Sequence, residues 1–423
     1  MKIIFLFLTL TPFIALSAPL PIDVHTLEQE HLTRQHEESS ELTEEHCRWP
    51  FEQLEVKQAQ NLIEFEKKML PGEGIRIAHI DTGIVPFPNF FNSVGGLLGL
   101  YMPRGKDGQD SFNYVEPHLL PIDNNPHGLN FGHGTETASL LIGRARWPSD
   151  SQHTFEGIVP WAQLIPIKVT DSVVMVGNVS THGTADAKNL ALGIRKAVSL
   201  NASVLTISLG AIFDGKGSIK TAIETALAEG AIVVAAAGQT LPINFLPLPA
   251  NIPGVVSVTA STEEREVWND AFSSKKISWA APGVLVCHLG VQTSSDSNAT
   301  RTISRTKMMT RSGAQVDLNG VIKRSSGTSY SVAFTSAAAA LWLQYHNHAS
   351  LKMLYGSKNI SNLFMAVARK FAMETPPHWN SQKHGAGIIN IHKLLRAQLP
   401  CSLADTQDSC AVKLEEFLKS TSR

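Results

Sequence analysis

Between residues 75 and 260, short apolar runs of strand length alternate with longer patterns of helical length. The runs are rich in isoleucine and valine, as the buried strands of parallel sheets are. Strands are predicted at 75–80, 163–169, 203–209, 231–237 and 254–260, and helices at 184–199 and 217–229. This alternation predicts an α/β fold: a doubly wound, mostly parallel sheet with helices on both faces. Pro166 places the second strand at an edge or strand end, since proline cannot donate a ladder hydrogen bond.

Two later regions depart from this alternation. Residues 292–320 are polar and lack a sustained period, which predicts a surface excursion. Residues 329–345 are mostly apolar and include four successive alanines. A helix that is apolar on nearly all sides is buried, so this segment is predicted to cross the core.

The two ends of the chain differ from its middle. Lys2, the apolar run 3–16 and the small residues of "ALSA" predict a signal peptide over residues 1–18. The run is too short to span a bilayer, so we predict an exported protein, secreted or periplasmic, with no stable membrane insertion after signal removal. Residues 19–48 are polar and predict a short pro-segment or linker. The globular domain is predicted at 49–395, followed by a C-terminal tail at 396–423.

Composition limits the possible partners and cross-links. The chain has 36 basic and 37 acidic residues, without the concentrated basic charge that nucleic-acid binding needs, so no nucleic-acid partner is expected. In an exported protein, the four cysteines could form two disulfides with three possible pairings, and the alternative is four free buried thiols. They are Cys47, Cys287, Cys401 and Cys410. No C-x-x-C pair is present, which argues against a zinc ribbon.

Polar residues mark three junctions between loops and regular elements. Asp81 closes the first strand, and ligands of open α/β sheets bind at that carboxyl edge. His133 lies between two glycines at the start of an apolar helix, and Ser329 opens the long alanine-rich helix. Taken singly, each has an ordinary structural use in a turn or a helix cap.

Together these three residue types can perform nucleophilic catalysis. A serine hydroxyl is a weak nucleophile until a base removes its proton. Histidine can be that base, and a buried carboxylate can orient the ring and stabilise its cation. Because Ser329 is predicted at a helix N-terminus, its backbone N–H is free to face a developing oxyanion.

The motifs around these residues resemble those of a known family. "IAHIDTG", "GHGTETA" and "GTSYSVAF" follow one another in the order Asp, His, Ser and resemble the active-site motifs of subtilisin-like serine proteases, the subtilases. Further similar segments are "GIVPWAQL", "TISLG", "AAAG", "APGV" and "HGAGIIN", so the resemblance spans roughly 49–395. It implies that Ser329 is the nucleophile, His133 the general base and acid, and Asp81 the orienting carboxylate.

The resemblance also implies a binding mode for the substrate. A polypeptide would lie as an extended strand between residues 206–210 and the segment after Ala237, with one side chain in a pocket of small residues. That composition suggests an open pocket that tolerates apolar groups. The implied contact residues are Ser208, Leu209, Gly210, Ala236, Ala237 and Gly238. No cofactor is needed for this chemistry; structural calcium is common in the family, and its ligands are not assignable from the sequence.

Three departures from the family pattern leave two functions open. Gln239 stands where the family usually has asparagine, so the implied oxyanion hole is formed by Gln239 and the N–H of Ser329. Ala333 stands where the family usually has proline, and the 19–48 segment is shorter than many propeptides. The first hypothesis is a secreted serine endopeptidase that forms an acyl-enzyme. The alternative is a catalytically weak or silent member of the fold that binds peptides or proteins.

Overall fold

The computed structural model describes most of the chain beyond residue 41. The described residues are 42–87, 90–91, 100–102, 112–128, 130–147, 154–171, 173–175, 182–212, 214–239, 246–293, 302–402 and 404–421, of which 174–175 and 182–186 are described by their backbone. They belong to one compact unit, Ser39–Arg423. The predicted signal peptide and most of the predicted pro-segment lie outside the described residues.

The strands are short and most are buried. In chain order they are β1 (Arg76–Asp81), β2 (Arg144–Arg146), β3 (Thr154–Glu156), β4 (Gln163–Lys168), β5 (Val174–Met175), β6 (Val204–Ile207), β7 (Gly210–Ala211), β8 (Ile232–Ala236), β9 (Val256–Ser261), β10 (Trp279–Pro282), β11 (Val286–Thr293), β12 (Ser304–Met309), β13 (Gln315–Ser325), β14 (Met373–Glu374) and β15 (Ile388–Ile389).

The helices alternate with these strands and then dominate the C-terminal third. They are α1 (Glu45–Gln53), α2 (Val56–Leu62), α3 (His133–Ile142), α4 (His182–Ser199), α5 (Ser218–Ala228), α6 (Thr328–His346), α7 (His348–Tyr355), α8 (Ile360–Phe371), α9 (Ser381–His384), α10 (Ile391–Arg396) and α11 (Gln407–Thr421). A π-helical turn, Ile63–Lys67, extends α2, and a 3₁₀ turn, Ser357–Asn359, precedes α8.

Eight strands form a central sheet in the order β14-β15-β10-β9-β8-β6-β1-β4. All neighbouring pairs are parallel except β14 and β15. Side chains of one strand alternate between the two faces: Ile77 packs in the core that includes α3 and α6, whereas Ala78 and Ile80 pack with α4 and α5. The predicted doubly wound α/β fold is therefore confirmed.

The first strand occupies the point where the chain changes direction across the sheet. β1 pairs with β4 on one side and with β6 on the other. In open α/β sheets, ligands bind outside the carboxyl ends of the strands at such a point. Asp81 is the last residue of β1 and lies at this edge.

The predicted elements from 75 to 260 match the structure to within about two residues at most ends. Pro166 lies in β4, which is an edge strand as predicted. The long helix predicted at 329–345 is α6, with all four alanines buried.

The prediction of a surface excursion at 292–320 was wrong. Described residues of this region belong to a three-stranded antiparallel sheet in the order β11-β13-β12. Its alternation is hard to see because few buried positions carry large apolar side chains: in β12 only Ser304 and Met308 are buried. One face of the sheet nevertheless packs on α3, so tertiary contact decides the structure here.

Two disulfides cross-link the chain, one between distant segments and one within the C-terminal tail. Cys47 pairs with Cys287, and Cys401 with Cys410, which selects one of the three pairings. Helix α1 begins at Glu45, ahead of the predicted domain start at residue 49, and its Cys47 is buried. Among the described helices, none is both long and apolar enough to cross a membrane.

Candidate active site

Asp81 and His133 meet at the carboxyl edge of the sheet. Strand β1 delivers Asp81, and Gly132, with φ of 88°, turns the chain into α3 at His133. Asp81 is fully buried and His133 is 7% exposed. His133 Nδ1 lies 2.7 Å from Asp81 Oδ1, so the carboxylate accepts the Nδ1 proton. The opposite nitrogen, Nε2, is left free to accept a proton.

Further hydrogen bonds hold Asp81 and the start of α3 in register. The Thr82 N–H donates to Asp81 Oδ1 at 2.7 Å. Asp123 Oδ2 accepts from the Thr82 hydroxyl at 2.8 Å and from the Gly132 N–H at 2.9 Å. Asp123 thus joins the residue after Asp81 to the residue before His133. Burial raises the pKa of Asp123 to about 6, against the opposing effect of Lys168.

The Asp81–His133 pair shifts the titration of both groups. Burial alone lowers the pKa of His133, but the charge of Asp81 and its hydrogen bond outweigh burial, and the net pKa lies above the ordinary value. Burial likewise raises the pKa of Asp81, and the charge and hydrogen bond of His133 outweigh it, so the net pKa is lowered. Each partner favours the charged form of the other.

Ser329 is the second residue of α6, the predicted buried helix. Its hydroxyl donates to the carbonyl oxygen of Ser208 at 3.1 Å, and the Ser208 hydroxyl donates back to the Ser329 carbonyl oxygen at 3.2 Å. These bonds fix the end of β6 beside the start of α6. Because Ser329 lies in the first turn, its N–H is one of the donors that the helix itself does not use.

Gln239 contacts the residue immediately before Ser329. Its Oε1 accepts from the Thr328 N–H at 3.0 Å and from the Thr328 hydroxyl at 2.6 Å. A backbone N–H can only donate, so this contact identifies the carbonyl end of the amide. The NH₂ end is left as the donor beside the α6 N-terminus.

The predicted substrate-contact residues lie at the carboxyl ends of two neighbouring strands, and Ala236 is the last residue of β8. Strands β6 and β8 pair in parallel, with Ile207 opposite Ala235. Residues 208–210 and 236–238 therefore leave the sheet side by side at its carboxyl edge, and Ser208 is the member that contacts Ser329. All the predicted site residues thus lie at this one edge.

A partly buried polar cluster that the sequence did not indicate joins α3 to α6. The Tyr330 hydroxyl donates to Glu136 Oε2 at 3.1 Å and lies 3.3 Å from His288 Nε2. The His288 and Tyr330 rings stack with centroids 5.0 Å apart. Lys323 Nζ lies 3.9 Å from Glu136 Oε1. Glu136 and Tyr330 lie inside the quoted motifs, but nothing in their spacing indicates that they touch.

A second missed group lies beneath Asp81. His79 is buried in β1, and its Nε2 lies 2.8 Å from the Thr137 hydroxyl, which is 3.4 Å from Asp81 Oδ2. Burial lowers the pKa of His79 to about 4 despite the Asp81 charge, so this histidine is neutral at neutral pH. Its position two residues before Asp81 on the same strand face was readable from the sequence.

The described residues offer no group of three or more His, Cys, Asp or Glu side chains that could hold a metal ion. Oxygens of Ile122, Asn124 and Asp171 do converge on one point, but the buried ammonium of Lys168 occupies it at 2.7–3.2 Å. These residues do not fit a calcium ion, and no step of the chemistry below involves one.

Sequence comparison decides the family. The profile of the Subtilase family matches residues 72–386, which include Asp81, His133 and Ser329. This chain belongs to the subtilase family.

Relatives and solved structures share parts of this subtilase. It is 27% identical to Minor extracellular protease Epr of Bacillus subtilis over 238 residues, which are 56% of this chain and 30% of that protein. It is 28% identical to Mycosin-4 of Mycobacterium tuberculosis over 275 residues, or 62% of this chain and 54% of that protein. The matches thus cover about half or less of these relatives. The structure of MycP1 from Mycobacterium smegmatis aligns with a TM-score of 0.55 at 20% identity, over 85% of this chain and 88% of that one, which shows a shared fold.

Proposed function

We propose that this subtilase is a secreted serine endopeptidase that cleaves polypeptides through an acyl-enzyme. Ser329 Oγ attacks the carbonyl carbon of the scissile bond while His133 Nε2 takes the hydroxyl proton. The C–N bond then breaks, and the amine leaves with the proton that His133 returns. Water attacks the resulting ester with the same help from His133 and regenerates the Ser329 hydroxyl.

The observation that carries this proposal is the buried contact between His133 and Asp81. A carboxylate 2.7 Å from Nδ1 fixes the ring in the tautomer that leaves Nε2 as the base. The same carboxylate stabilises the imidazolium that forms when Nε2 takes the proton. In the structure the Ser329 hydroxyl donates to Ser208, so it must turn toward His133 as substrate binds.

The oxyanion is proposed to form between Gln239 Nε2 and the Ser329 N–H. The bonds from Thr328 to Gln239 Oε1 restrain the amide although glutamine is one methylene longer than asparagine. A preorganised donor needs little reorganisation in the transition state. Gln239 is therefore proposed to stabilise the oxyanion because its amide is already held in a fixed orientation.

Export is part of the same proposal. The signal-peptide pattern of residues 1–18 supports it, as does similarity to a relative named as an extracellular protease. N-terminal sequencing of secreted material is expected to begin at Ala18 or Pro19, and an intact Met1 on exported protein would contradict it.

Labelling with a fluorophosphonate probe tests the catalytic proposal. The probe forms a covalent bond with an activated serine hydroxyl, so the mature protein should be labelled at Ser329. Ser329→Ala should abolish labelling, and His133→Ala should nearly abolish it, because the hydroxyl then lacks its base. An intact, folded protein that takes up no label would overturn the proposal.

One observation favours a second candidate, a peptide-binding member of the fold without turnover. The Ser329 hydroxyl is engaged with a backbone carbonyl rather than with the base. A binding module would hold an extended peptide at residues 208–210 and 236–238 without labelling by the probe. Peptide affinity equal in the parent protein and in Ser329→Ala, with no cleavage by either, would identify it.

A further inference from the structure

Pro247 lies between the two walls of the proposed substrate pocket. The walls are residues 208–210 and 236–238, at the carboxyl ends of the adjacent parallel strands β6 and β8. A Cβ built on Gly210 would lie 2.7 Å from both Cβ and Cγ of Pro247. A Cβ built on Gly238, in the opposite wall, would lie 3.6 Å from Pro247 Cδ. The proline ring therefore occupies the space that a side chain on Gly210 would need, and it lies within contact range of a side chain on Gly238.

Hydrogen bonds on either side of Pro247 hold the ring in this position. Leu248 and Ala211 exchange both backbone hydrogen bonds, at 2.8 and 2.9 Å. The Asn251 N–H donates to the Pro247 carbonyl oxygen at 3.2 Å, and the Asn251 side chain donates to the Leu246 carbonyl oxygen at 3.1 Å. The proline ring is rigid in itself, so the side chain has no rotamer that would clear the pocket.

The second wall cannot move outward to make room. The Phe272 ring packs against Gly238, where a Cβ would come within 2.9 Å of Phe272 Cε2. The Phe272 N–H also donates to the Gly238 carbonyl oxygen at 3.0 Å, and Phe272 is buried. Gly238 has φ of 92°, a conformation that glycine adopts freely. The wall is thus held between Phe272 and the Pro247 ring.

We propose that Pro247 closes the depth of this pocket and makes the enzyme selective for substrates with a small acyl residue. The acyl residue is the substrate residue whose carbonyl carbon Ser329 attacks, and the selected residues are glycine, alanine and serine. This inference rests on the proposed peptidase function, and it differs from the open pocket expected from the small residues of "AAAG". Those residues line the walls, but the sequence does not show that Pro247 returns to fill the space between them.

Steric cost decides the selectivity. Forcing a leucine or phenylalanine side chain against a fixed ring and two fixed walls requires backbone shifts, because packed interiors do not yield freely. One methylene too many in an apolar pocket changes kcat/KM by about 10- to 200-fold. A phenylalanine substrate should therefore be cleaved at least about 100-fold less efficiently than an alanine substrate.

Fluorogenic peptides that differ only in the acyl residue test the proposal on the mature full-length protein. The series carries glycine, alanine, serine, leucine or phenylalanine, and mass spectrometry locates each cleavage. The parent enzyme should prefer the first three. In Pro247→Gly the kcat/KM for leucine and phenylalanine, each taken relative to that for alanine, should rise by about 10-fold or more.

Pro253→Gly is the matched control. Pro253 is exposed in the same loop region, so its replacement makes the same change in backbone freedom without touching the pocket. Its selectivity should equal that of the parent. The inference would be overturned if the parent enzyme cleaved after phenylalanine as efficiently as after alanine. It would also be overturned if an active Pro247→Gly variant kept the selectivity of the parent. If no peptide is cleaved and the fluorophosphonate probe does not label Ser329, the proposed function fails and this inference with it.

Discussion

At the residue scale, the titration of His133 determines the pH range of activity. Nε2 can take the serine proton only when the ring is neutral, so activity rises as His133 loses its proton. Burial lowers its pKa, but Asp81 raises it more, and the net value exceeds the ordinary 6.5. We therefore expect the acid limb of the kcat/KM profile to have its midpoint above 6.5. A pH–rate profile with an alanine substrate measures it, and a midpoint below 6.5 would contradict the assignment.

The pKa shifts of His133 and Asp81 also determine how the stability of the fold depends on pH. The pKa of His133 is higher in the folded protein than in the unfolded chain. This difference stabilises the fold fully at pH values below the unfolded pKa, and the stabilisation is lost as pH rises through the folded pKa. The lowered pKa of Asp81 contributes stability above its unfolded value, which is lost as pH falls through the folded one. The pair therefore stabilises the fold most between these two limits, in mildly acidic solution, where activity is already reduced.

Gln239 offers a second prediction at this scale. Gln239→Glu keeps an oxygen that can accept from Thr328 but removes the NH₂ donor and adds a negative charge facing the oxyanion. Removing one oxyanion donor costs about 10²–10³ in kcat, and the charge should make the loss larger than in Gln239→Ala. KM should change little, because the donor acts mainly in the transition state.

Steady-state kinetics of the two variants, with unfolding curves to confirm that each is folded, provide the measurement. If Gln239→Ala turns over normally, another group stabilises the oxyanion. If Gln239→Glu is as active as the parent, the amide nitrogen has no role in the reaction.

At the scale of elements, the helices that carry the proposed base and nucleophile, α3 and α6, are joined by a polar cluster in addition to the apolar core that they share. Glu136 lies one turn beyond His133 on α3, and Tyr330 directly follows Ser329 on α6. Their side chains meet at 3.1 Å although 194 residues separate them in sequence. Strand β11 supplies His288, which stacks on Tyr330. The cluster thus fixes the distance between the two helices.

Tyr330→Phe tests this role. It removes one hydroxyl and leaves Glu136, a partly buried carboxylate, without the Tyr330 donor. A hydrogen bond to a charged group contributes about 1.5–3 kcal/mol, so the free energy of unfolding should fall by about that amount. We also expect kcat to fall with KM nearly unchanged, because the helices lose their exact spacing while the binding walls stay intact.

Tyr355→Phe is the control for this prediction. The Tyr355 hydroxyl is also buried and exchanges hydrogen bonds with the backbone of Cys401, away from the site. This variant should lower the free energy of unfolding, as measured by urea denaturation, without changing kcat. An equal effect of both variants on kcat would mean that Tyr330 acts only through global stability.

The same elements show what the sequence could and could not predict. Strand 75–80 and helix 329–345 were predicted correctly because their apolar patterns have the length and period of one element. Asp81, His133 and Ser329 became candidates for catalysis because their local motifs are distinctive. The sheet β11-β13-β12 was missed because only two residues of its edge strand β12, Ser304 and Met308, are buried, so the segment lacks a clear apolar alternation. Pro247 and Tyr330 were missed because their roles depend on contacts across the fold, which no local period encodes.

At the scale of the whole molecule, the two disulfides cross-link very different lengths of chain. Cys47–Cys287 closes a loop of 240 residues and ties α1 to β11, whereas Cys401–Cys410 closes one of 9 within the C-terminal tail. β11 is also the strand that covers α3, where Val291 contacts Gly132 closely enough to exclude a Cβ there. The longer link therefore anchors the sheet that lies over the proposed base.

Loop length predicts which disulfide matters more for stability. Cross-linking restricts the unfolded chain, and the chain-entropy relation gives about 5.5 kcal/mol for a loop of 240 residues against about 2.6 kcal/mol for one of 9. The double variant Cys47→Ser/Cys287→Ser should therefore lower the free energy of unfolding more than Cys401→Ser/Cys410→Ser.

Because Cys287 immediately precedes His288, the first variant should also increase hydrogen exchange in β11 and α3, while the second should leave that exchange unchanged. Urea unfolding and hydrogen exchange of the two variants provide the measurement. If the short-loop variant were the less stable one, the tail rather than the sheet over α3 would be the part of the fold that most needs its cross-link.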